Sequence, residues 1–438
     1  MDLGVIVSDL PTEKDFIRVF SDVFRLKNKP ILSGSEFDDC AALRLDSFAQ
    51  NLSAESLTFS TDSVRESTDF PSGMTLWQKG WMAAAVNLSD LAAMGSKPIA
   101  FLFSAGLPRG FTLENAEELA RGIQECVSFF GAEVIGGDTE FNDELTITGT
   151  VIGITENKNL ILRKNARPGD LLCATGFPGS AGVALSVLLN EINIRVEAGE
   201  SVSDSTADST ADSTSDSTAV SNSISDSGLD SISVSDSFLK NLTEPFPRIF
   251  EGMMLAKSGA VNSMIDTSDG LASSVYELSA LSGVFFEIDE QSLPQDGEAL
   301  EILSNHLKNN QYKQNDQNET NFTDEQIAAQ ARDLLIHEAL YTGGDYELLF
   351  TIPAGKLSLV EELFKKFNEN AISDAISDTA SRFEGLSSTG KSGRYPCKFT
   401  VIGKAIAEKE NVIVRQAGLN SQRQPLLKIG YDSFKKYI

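Results

Sequence analysis

The sequence predicts a mixed α/β fold in two domains. At 438 residues the chain exceeds one ordinary domain, and two is the natural division. Residues 1–155 alternate short apolar runs with longer segments of helical period, the pattern of an α/β or α+β domain. Apolar residues make up 41% of the chain, enough for extensive cores. We therefore expect an N-terminal domain at 1–155 and a C-terminal α+β domain at 156–438.

The N-terminal elements follow from periodicity. Residues 11–28 place Phe16, Ile17, Val19, Phe20, Val23 and Phe24 at the spacing of an amphipathic helix. Residues 36–43 read as a turn into a strand, and 57–64 as a strand ending in a polar loop. The stretch Ala83-Ala-Ala-Val-Asn-Leu-Ser-Asp-Leu-Ala-Ala-Met-Gly95 is alanine-rich and hence helical, with Gly95 and Pro98 as stop signals. It carries one carboxylate, Asp90, with Asn87 and Ser89 beside it. An aspartate on an apolar helix is costly to bury unless a cation or donors meet it; the alternative is a solvent-facing or capping role. A buried strand at 99–107, a helix at 113–130, a strand into a glycine turn at 132–139 and a strand at 145–154 complete this half.

In the second half, Pro168-Gly-Asp170 turns into a strand, and residues 176–182 form a loop before a helix at 183–190. Residues 201–237 are a Ser/Asp/Thr tract without Lys or Arg, too polar to offset the entropy of ordering. Residues 304–326, rich in Asn and Gln, and 370–394, rich in Ser, read as smaller insertions of the same kind. Between them, Met264-Ile-Asp-Thr-Ser-Asp-Gly-Leu271 leads into a helix, and residues 339–351 make a glycine turn into a strand.

Composition narrows the function. A net charge of −27 disfavours nucleic acid or an anionic membrane as a partner and suits work with divalent cations. Cys40, Cys126, Cys173 and Cys397 are scattered without a CxxC, which argues against zinc or a disulfide framework and suits a reducing, cytoplasmic setting. Met1-Asp-Leu-Gly-Val5 lacks the basic region of a signal peptide, and no run approaches the ~18 apolar residues of a membrane span. With His306 and His337 as the only histidines, histidine-based metal sites and triads have little material.

Two kinds of motif carry chemistry. Gly385-Leu-Ser-Ser-Thr-Gly-Lys391-Ser392 fits the P-loop string literally, but that mechanism needs a buried strand before it and a helix after it. Here it sits in a Ser-rich stretch interrupted by Gly393 and Pro396, so we read it as a decoy. The acidic motifs form a coherent set: Asp38-Asp39, Ser60-Thr61-Asp62, Asp90, Gly136-Gly137-Asp138, and Asp266 with Ser268-Asp269. Any one alone has the alternative of an Asx-turn or cap. Together, at strand ends and flexible turns, they suit oxygen-ligated Mg²⁺ and phosphoryl transfer, with glycines that let backbone N–H groups approach phosphate.

In order and spacing these residues resemble the thiamine-monophosphate kinase family, within the superfamily of aminoimidazole ribonucleotide synthetase. The matching pieces are Phe37-Asp-Asp-Cys-Ala-Ala-Leu43, Ser60-Thr-Asp-Ser63, the helix ending at Gly95, Ile135-Gly-Gly-Asp-Thr139, Ile265-Asp-Thr-Ser-Asp-Gly-Leu271 and Gly343-Gly-Asp-Tyr-Glu-Leu-Leu-Phe-Thr351. The resemblance implies ATP-dependent, in-line phosphorylation of thiamine monophosphate to thiamine diphosphate with several Mg²⁺. It further implies a homodimer whose N-terminal sheets pair. By motif, Asp39, Ser60, Thr61, Asp62, Asp90, Asp138, Asp266 and Asp269 would hold metal, with Asp90, Asp138 and Asp269 central to the transfer. Gly137, Asp138, Arg163 and Ser268 would contact ATP, and Asp69, Gly344 and the aromatic Tyr431 the acceptor substrate.

Three positions depart from the family pattern. Phe37 stands where the family usually has glycine, Asp69 where it often has histidine, and Gly344 aligns with the glutamate of its Gly-Gly-Glu-Asp-Tyr-Glu. Other members of the superfamily fit less well. A selenophosphate synthetase needs a reactive Cys in a glycine-rich N-terminal loop, which residues 1–30 lack. The hydrogenase-maturation relative ends in a functional cysteine, whereas this chain ends Lys436-Tyr-Ile438. The departures also leave a non-catalytic nucleotide-binding paralogue as an alternative.

Overall fold

The computed structural model describes residues 13–24, 31–33, 42–43, 56–189, 194–196, 232–314, 322–376, 397–417 and 420–428. The sequence expectations for Phe37, Asp39, Tyr431, the P-loop decoy and residues 201–231 fall outside these residues. No helix among the described residues is long and apolar enough to cross a membrane.

The N-terminal half contains helix α1 (Glu13–Val23), strands β1 (Ile31–Ser33), β2 (Ala42–Leu43) and β3 (Ser56–Arg65), and helix α2 (Leu76–Ala93). Strand β4 (Lys97–Leu107), helix α3 (Leu113–Phe129) and strands β5 (Glu133–Phe141) and β6 (Thr146–Thr155) follow. Strands β3, β6, β4 and β5 form one sheet in that order, parallel only between β4 and β5. Helix α2 opens on a capping box, Thr75 with Gln78, and gives way at Gly95, whose φ of +65° glycine adopts without strain. It is buried on almost every side because it lies between the sheet and two other helices.

Contact with those helices is backbone to backbone. A Cβ on Gly80 would stand 2.1 Å from the carbonyl oxygen of Leu119, and one on Gly122 would stand 1.9 Å from that of Trp77. The second half contains β7 (Asp170–Thr175), α4 (Ser180–Leu188), β8 (Ile194–Val196), β9 (Ile232–Val234), α5 (Asp236–Thr243) and α6 (Ile249–Ser258). It continues through β10 (Ser263–Asp266), α7 (Leu271–Ser282), β11 (Phe285–Asp289), α8 (Gly297–Gln314) and α9 (Asp324–Tyr341). Last come β12 (Leu348–Pro353), α10 (Leu357–Ile376), β13 (Phe399–Ile406), β14 (Val412–Ala417) and β15 (Asn420–Pro425). Seven of these strands form a sheet in the order β10-β12-β7-β13-β11-β14-β15. A Cβ on Gly252 in α6 would stand 2.1 Å from the carbonyl oxygen of Ala92, so α6 locks the second half onto α2. The buried Trp81 indole adds a hydrogen bond of 2.7 Å to the Pro245 carbonyl. One apolar cluster joins Trp81 and Leu88 to Phe246, Ile249 and Phe350.

Several sequence expectations are corrected. The glycine turn expected at 136–137 is absent: β5 runs through both glycines, pairing Phe103 with Gly137 and Ser104 with Asp138. Gly137 is glycine because the Phe103 ring would lie 2.6 Å from a Cβ there. Much of the segment read as an insertion at 304–326 is helical. Helix α8 reaches Gln314, anchored by the buried Ala299, Ile302 and Leu303, and α9 opens on a capping box of Thr323 with Gln326. Likewise α10 carries residues 370–376, held by the buried Val360 and Phe364.

The α2–α6 contact yields a test. Gly252→Ala must push α6 away from Ala92 and is expected to cost about 1–3 kcal/mol, lowering the melting temperature by several degrees. Gly355→Ala, where a Cβ meets nothing within 4 Å, is the control and should leave it unchanged.

Candidate active site

Three side chains of α2 turn three neighbours into one site. The Ser60 hydroxyl on β3 donates to Asp90. The Asn87 amide oxygen accepts the backbone N–H of Asp62 at 2.9 Å, while its nitrogen donates to the Ala83 carbonyl at 3.0 Å. Gly149, paired with Asp62, makes room: its Cβ would stand 2.3 Å from the Asn87 nitrogen. Ser89 donates to the carboxylate of Asp266, at the end of β10, at 2.8 Å. Asn87 and Ser89 are fully buried, so neither bond is shared with water.

Crowding shapes the electrostatics. Burial, and then the Asp90 charge, push the Asp266 carboxyl up to about 7, against the opposing pull of the Ser89 hydrogen bond and Arg163. Partial burial and Asp90 also push Asp62 up to about 7. Asp62 stands on the exposed lip, where water screens its neighbours, whereas Asp266 is only 3% exposed and feels the fold fully. The Tyr346 phenol is raised well above its usual range, by burial first and then by Asp266, Asp62, Asp69 and Asp269.

The predicted residues divide accordingly. Ser60, Asp62, Asp90 and Asp266 come together, and Asp269 acts on both Asp62 and Asp266. Arg163 is exposed and acts on Asp266 from the segment before β7. Ser268 lies in the loop after β10, its carbonyl accepting the Gly344 N–H at 2.9 Å. Gly344 offers only backbone, and its φ of +101° would strain the glutamate that the family places there.

Asp69 closes the turn after β3, accepting the Arg65 N–H at 2.9 Å. Thr61 points away from Asp62 by strand alternation and donates to the Gly149 carbonyl at 2.7 Å. Asp138 is kept apart: β5 and β3 are opposite edges of the sheet, three strand spacings or roughly 14 Å away. Its register with Ser104, and through Thr148 with Ser63, puts it on the Thr61 face.

Sequence reasoning gave no role to Tyr346 or to the buried ion group beside it. Arg248 donates from Nε and Nη2 to Glu347 at 2.7 and 2.6 Å, with Glu251 at 3.6 Å. The signal for Tyr346 in the sequence was its place between two acids, Asp345 and Glu347. Those acids line a cavity of about 210 Å³ with Phe177, Phe246, Arg248 and Lys398, behind the carboxylate group.

Among the described residues no three His, Cys, Asp or Glu side chains stand close enough to cage an ion alone. The donors present are oxygens only, and burial and neighbouring charge shift two of the carboxyls, Asp62 and Asp266, towards the protonated form. That chemistry fits a hard cation such as Mg²⁺, which keeps open positions for water and phosphate.

The N-terminal domain of the AIR synthase related protein family matches residues 37–155. A thiamine-monophosphate kinase from Methanospirillum hungatei JF-1 is 34% identical over 320 residues, covering 73% of this chain and 81% of that protein. The chain belongs to the thiamine-monophosphate kinase family. Solved thiamine-monophosphate kinases share its fold. The one from Stenotrophomonas maltophilia K279a superposes with a TM-score of 0.62 at 22% identity, covering 91% of this chain and 94% of that one. A ThiL structure complexed with AMPPCP and TMP gives 0.52 at 21% identity, covering 82% and 83%.

The raised Asp266 carboxyl makes this family member's stability pH-dependent. In the folded state the Asp266 carboxyl keeps its proton up to about 7, whereas the unfolded chain releases it near the ordinary aspartate value of 3.8, so the stabilisation is complete below 3.8 and is lost as pH rises through about 7. In chelator, the melting temperature should fall from pH 5 to pH 8, and Asp266→Asn should flatten that slope in thermal melts.

Proposed function

We propose that this chain transfers the γ-phosphoryl group of ATP directly to thiamine monophosphate, giving thiamine diphosphate and ADP. An oxygen of the acceptor phosphate attacks the γ-phosphorus in line, and the bond to the β–γ bridging oxygen breaks. The observation that carries the reading is α2 binding strand β3 through Asn87 and Asp90, and β10 through Ser89, so that carboxylates from both halves converge. Family membership, and the relative that binds AMPPCP and TMP, support the choice of substrates.

Ser60, Asp62, Asp90, Asp266 and Asp269, with Asp39, would hold Mg²⁺, which supplies neutralisation of phosphate charge and alignment of the transferring group. The exposed Arg163 guanidinium suits bidentate contact with an ATP phosphate. The outer edge of β5 at Gly137, which pairs with no further strand among the described residues, would offer backbone N–H groups to the nucleotide. The buried, unbridged Cys126, Cys173 and Cys397 fit a cytoplasmic setting.

The reading includes a homodimer. The sheet face away from α2 exposes Leu57 (44%) and Phe59 (64%), with Phe141 (55%) at the β5 edge. A second sheet against it, β5 beside the partner's β3, would bring Asp138 of one chain to the Thr61–Asp62 edge of the other. Asp138 then acts across the interface, which accounts for its distance from Asp90 within one chain.

Two tests follow. ADP release should depend on thiamine monophosphate, and Asp90→Asn should reduce it more than tenfold, or about 1.4 kcal/mol in barrier, without lowering the melting temperature. Separately, inactive D90N and D138N chains, when co-expressed, should regain up to about a quarter of wild-type activity. That value assumes random pairing, in which half the dimers are mixed and each has one intact site. Absence of any recovery would place Asp138 outside a shared site.

A further inference from the structure

Tyr346 sits between two anchored neighbours. The Asp345 carboxylate accepts the N–H groups of Gly179 at 2.8 Å and Ala181 at 3.0 Å, where α4 begins. Glu347 takes the paired bonds from Arg248 and a hydroxyl bond from Thr175 at 2.6 Å. Its backbone is fixed in both directions to Thr267: the Glu347 N–H donates to the Thr267 hydroxyl at 3.1 Å, and its carbonyl accepts the Thr267 N–H at 2.8 Å.

Between these anchors Tyr346 has a φ of +52°, the left-handed region where a Cβ is unfavourable. Gly344 and Gly343 stand two and three positions before it, yet the left-handed position at 346 is occupied by a bulky side chain. Such strain persists where the surroundings over-determine it, and it is concentrated at functional sites. The chain on either side of Tyr346 is bonded to the loop after β10, through Glu347 to Thr267 and through the Gly344 N–H to the Ser268 carbonyl, and the ring packs partly buried against the apolar cluster that holds Phe246 and Phe350. There the charges of Asp266, Asp62, Asp69 and Asp269 act on its phenol. A phenylalanine would fill the same space. The hydroxyl adds one neutral donor to a group of acids that can only accept once ionised.

We propose that the Tyr346 hydroxyl is a substrate-binding group, donating a hydrogen bond to a phosphate oxygen of one of the two substrates. This inference rests on the phosphoryl-transfer reading of the same site. A phenol is un-ionised near neutral pH and can approach a phosphate dianion that the surrounding carboxylates repel. The bond is kept short in sequence and rigid in space by the Asp345 and Glu347 anchors, so no loop closure is needed to form it.

The test is Tyr346→Phe in the full chain, with Mg²⁺ present throughout. Calorimetric titration with a non-hydrolysable ATP analogue and, separately, with thiamine monophosphate reports which substrate the phenol holds. The expected result is at least tenfold weaker binding of one ligand, less than twofold change for the other, and an unchanged melting temperature. Selective loss of the analogue assigns the bond to the nucleotide, and selective loss of thiamine monophosphate assigns it to the acceptor. Binding of both ligands within twofold of wild type overturns the proposal, as does a fall in melting temperature with equal weakening of both. If the wild-type chain binds the analogue but releases no ADP with thiamine monophosphate, the function reading fails. The comparison of Tyr346→Phe with wild type then still decides whether the phenol holds a phosphate. A wild-type chain that binds neither ligand overturns both.

Discussion

Helix α2 approaches α3 and α6 so closely that, at Gly80, Gly122 and Gly252, the contacts are between main chains. Close packing of this kind gains dispersion over many atoms and tolerates no added methyl group. It also leaves the polar side chains of α2 little room. Asn87 and Asp90 have β3 within reach, and Ser89 has β10. The arrangement of carboxylates is therefore a consequence of helix packing: move α6 away from Ala92, and the bond from Ser89 to Asp266 moves with it.

The acids gathered there work against stability in the absence of a cation. Burial and mutual repulsion favour the protonated carboxyl, and a protonated carboxyl is a poor partner for a metal. A group of carboxyls held this close is one that the fold keeps in an unfavourable state unless a cation offsets their charge. The neutral side chains reduce that cost: Ser60 and Ser89 donate to carboxylate oxygens, and Asn87 accepts the Asp62 N–H.

Behind the carboxylates lies a second polar group with a different purpose. Arg248, Glu251 and Glu347 are buried together, and a buried ion pair is weak evidence of stabilisation because desolvation offsets attraction. Its effect here is geometric. Glu347 is held by Arg248 in the segment between α9 and β12, Asp345 caps the start of α4, and Tyr346 is fixed between them beside the loop after β10. The α4 helix, β12 and the loop after β10 are thereby tied to one short stretch of chain.

Local sequence was sufficient for elements whose signals are local. The alanine-rich run and its capping Thr75 and Gly95 specify α2, and alternating apolar residues specify β3 and β6. The acidic motifs were legible because Asp, Ser and Gly at those spacings have few other uses in combination. The ends of α8 and the start of α9 were misread because polarity was weighed above capping: Thr323 and Gln326 spelled a helix start inside an Asn-rich stretch. At Gly136-Gly137 the glycines were read as a turn, when both lie in a strand and the Phe103 ring leaves no room for a Cβ at Gly137. Which acids meet was a tertiary matter. Strand order puts Asp138 at the far edge from Asp62, pleat alternation turns Thr61 away, and bonds from Glu347 to Thr267 and from Gly344 to Ser268 hold Tyr346 beside the loop after β10. Sequence determined the chemistry available to this protein. The folded chain decided which side chains share it, because distance between residues far apart in sequence is set only when the layers pack.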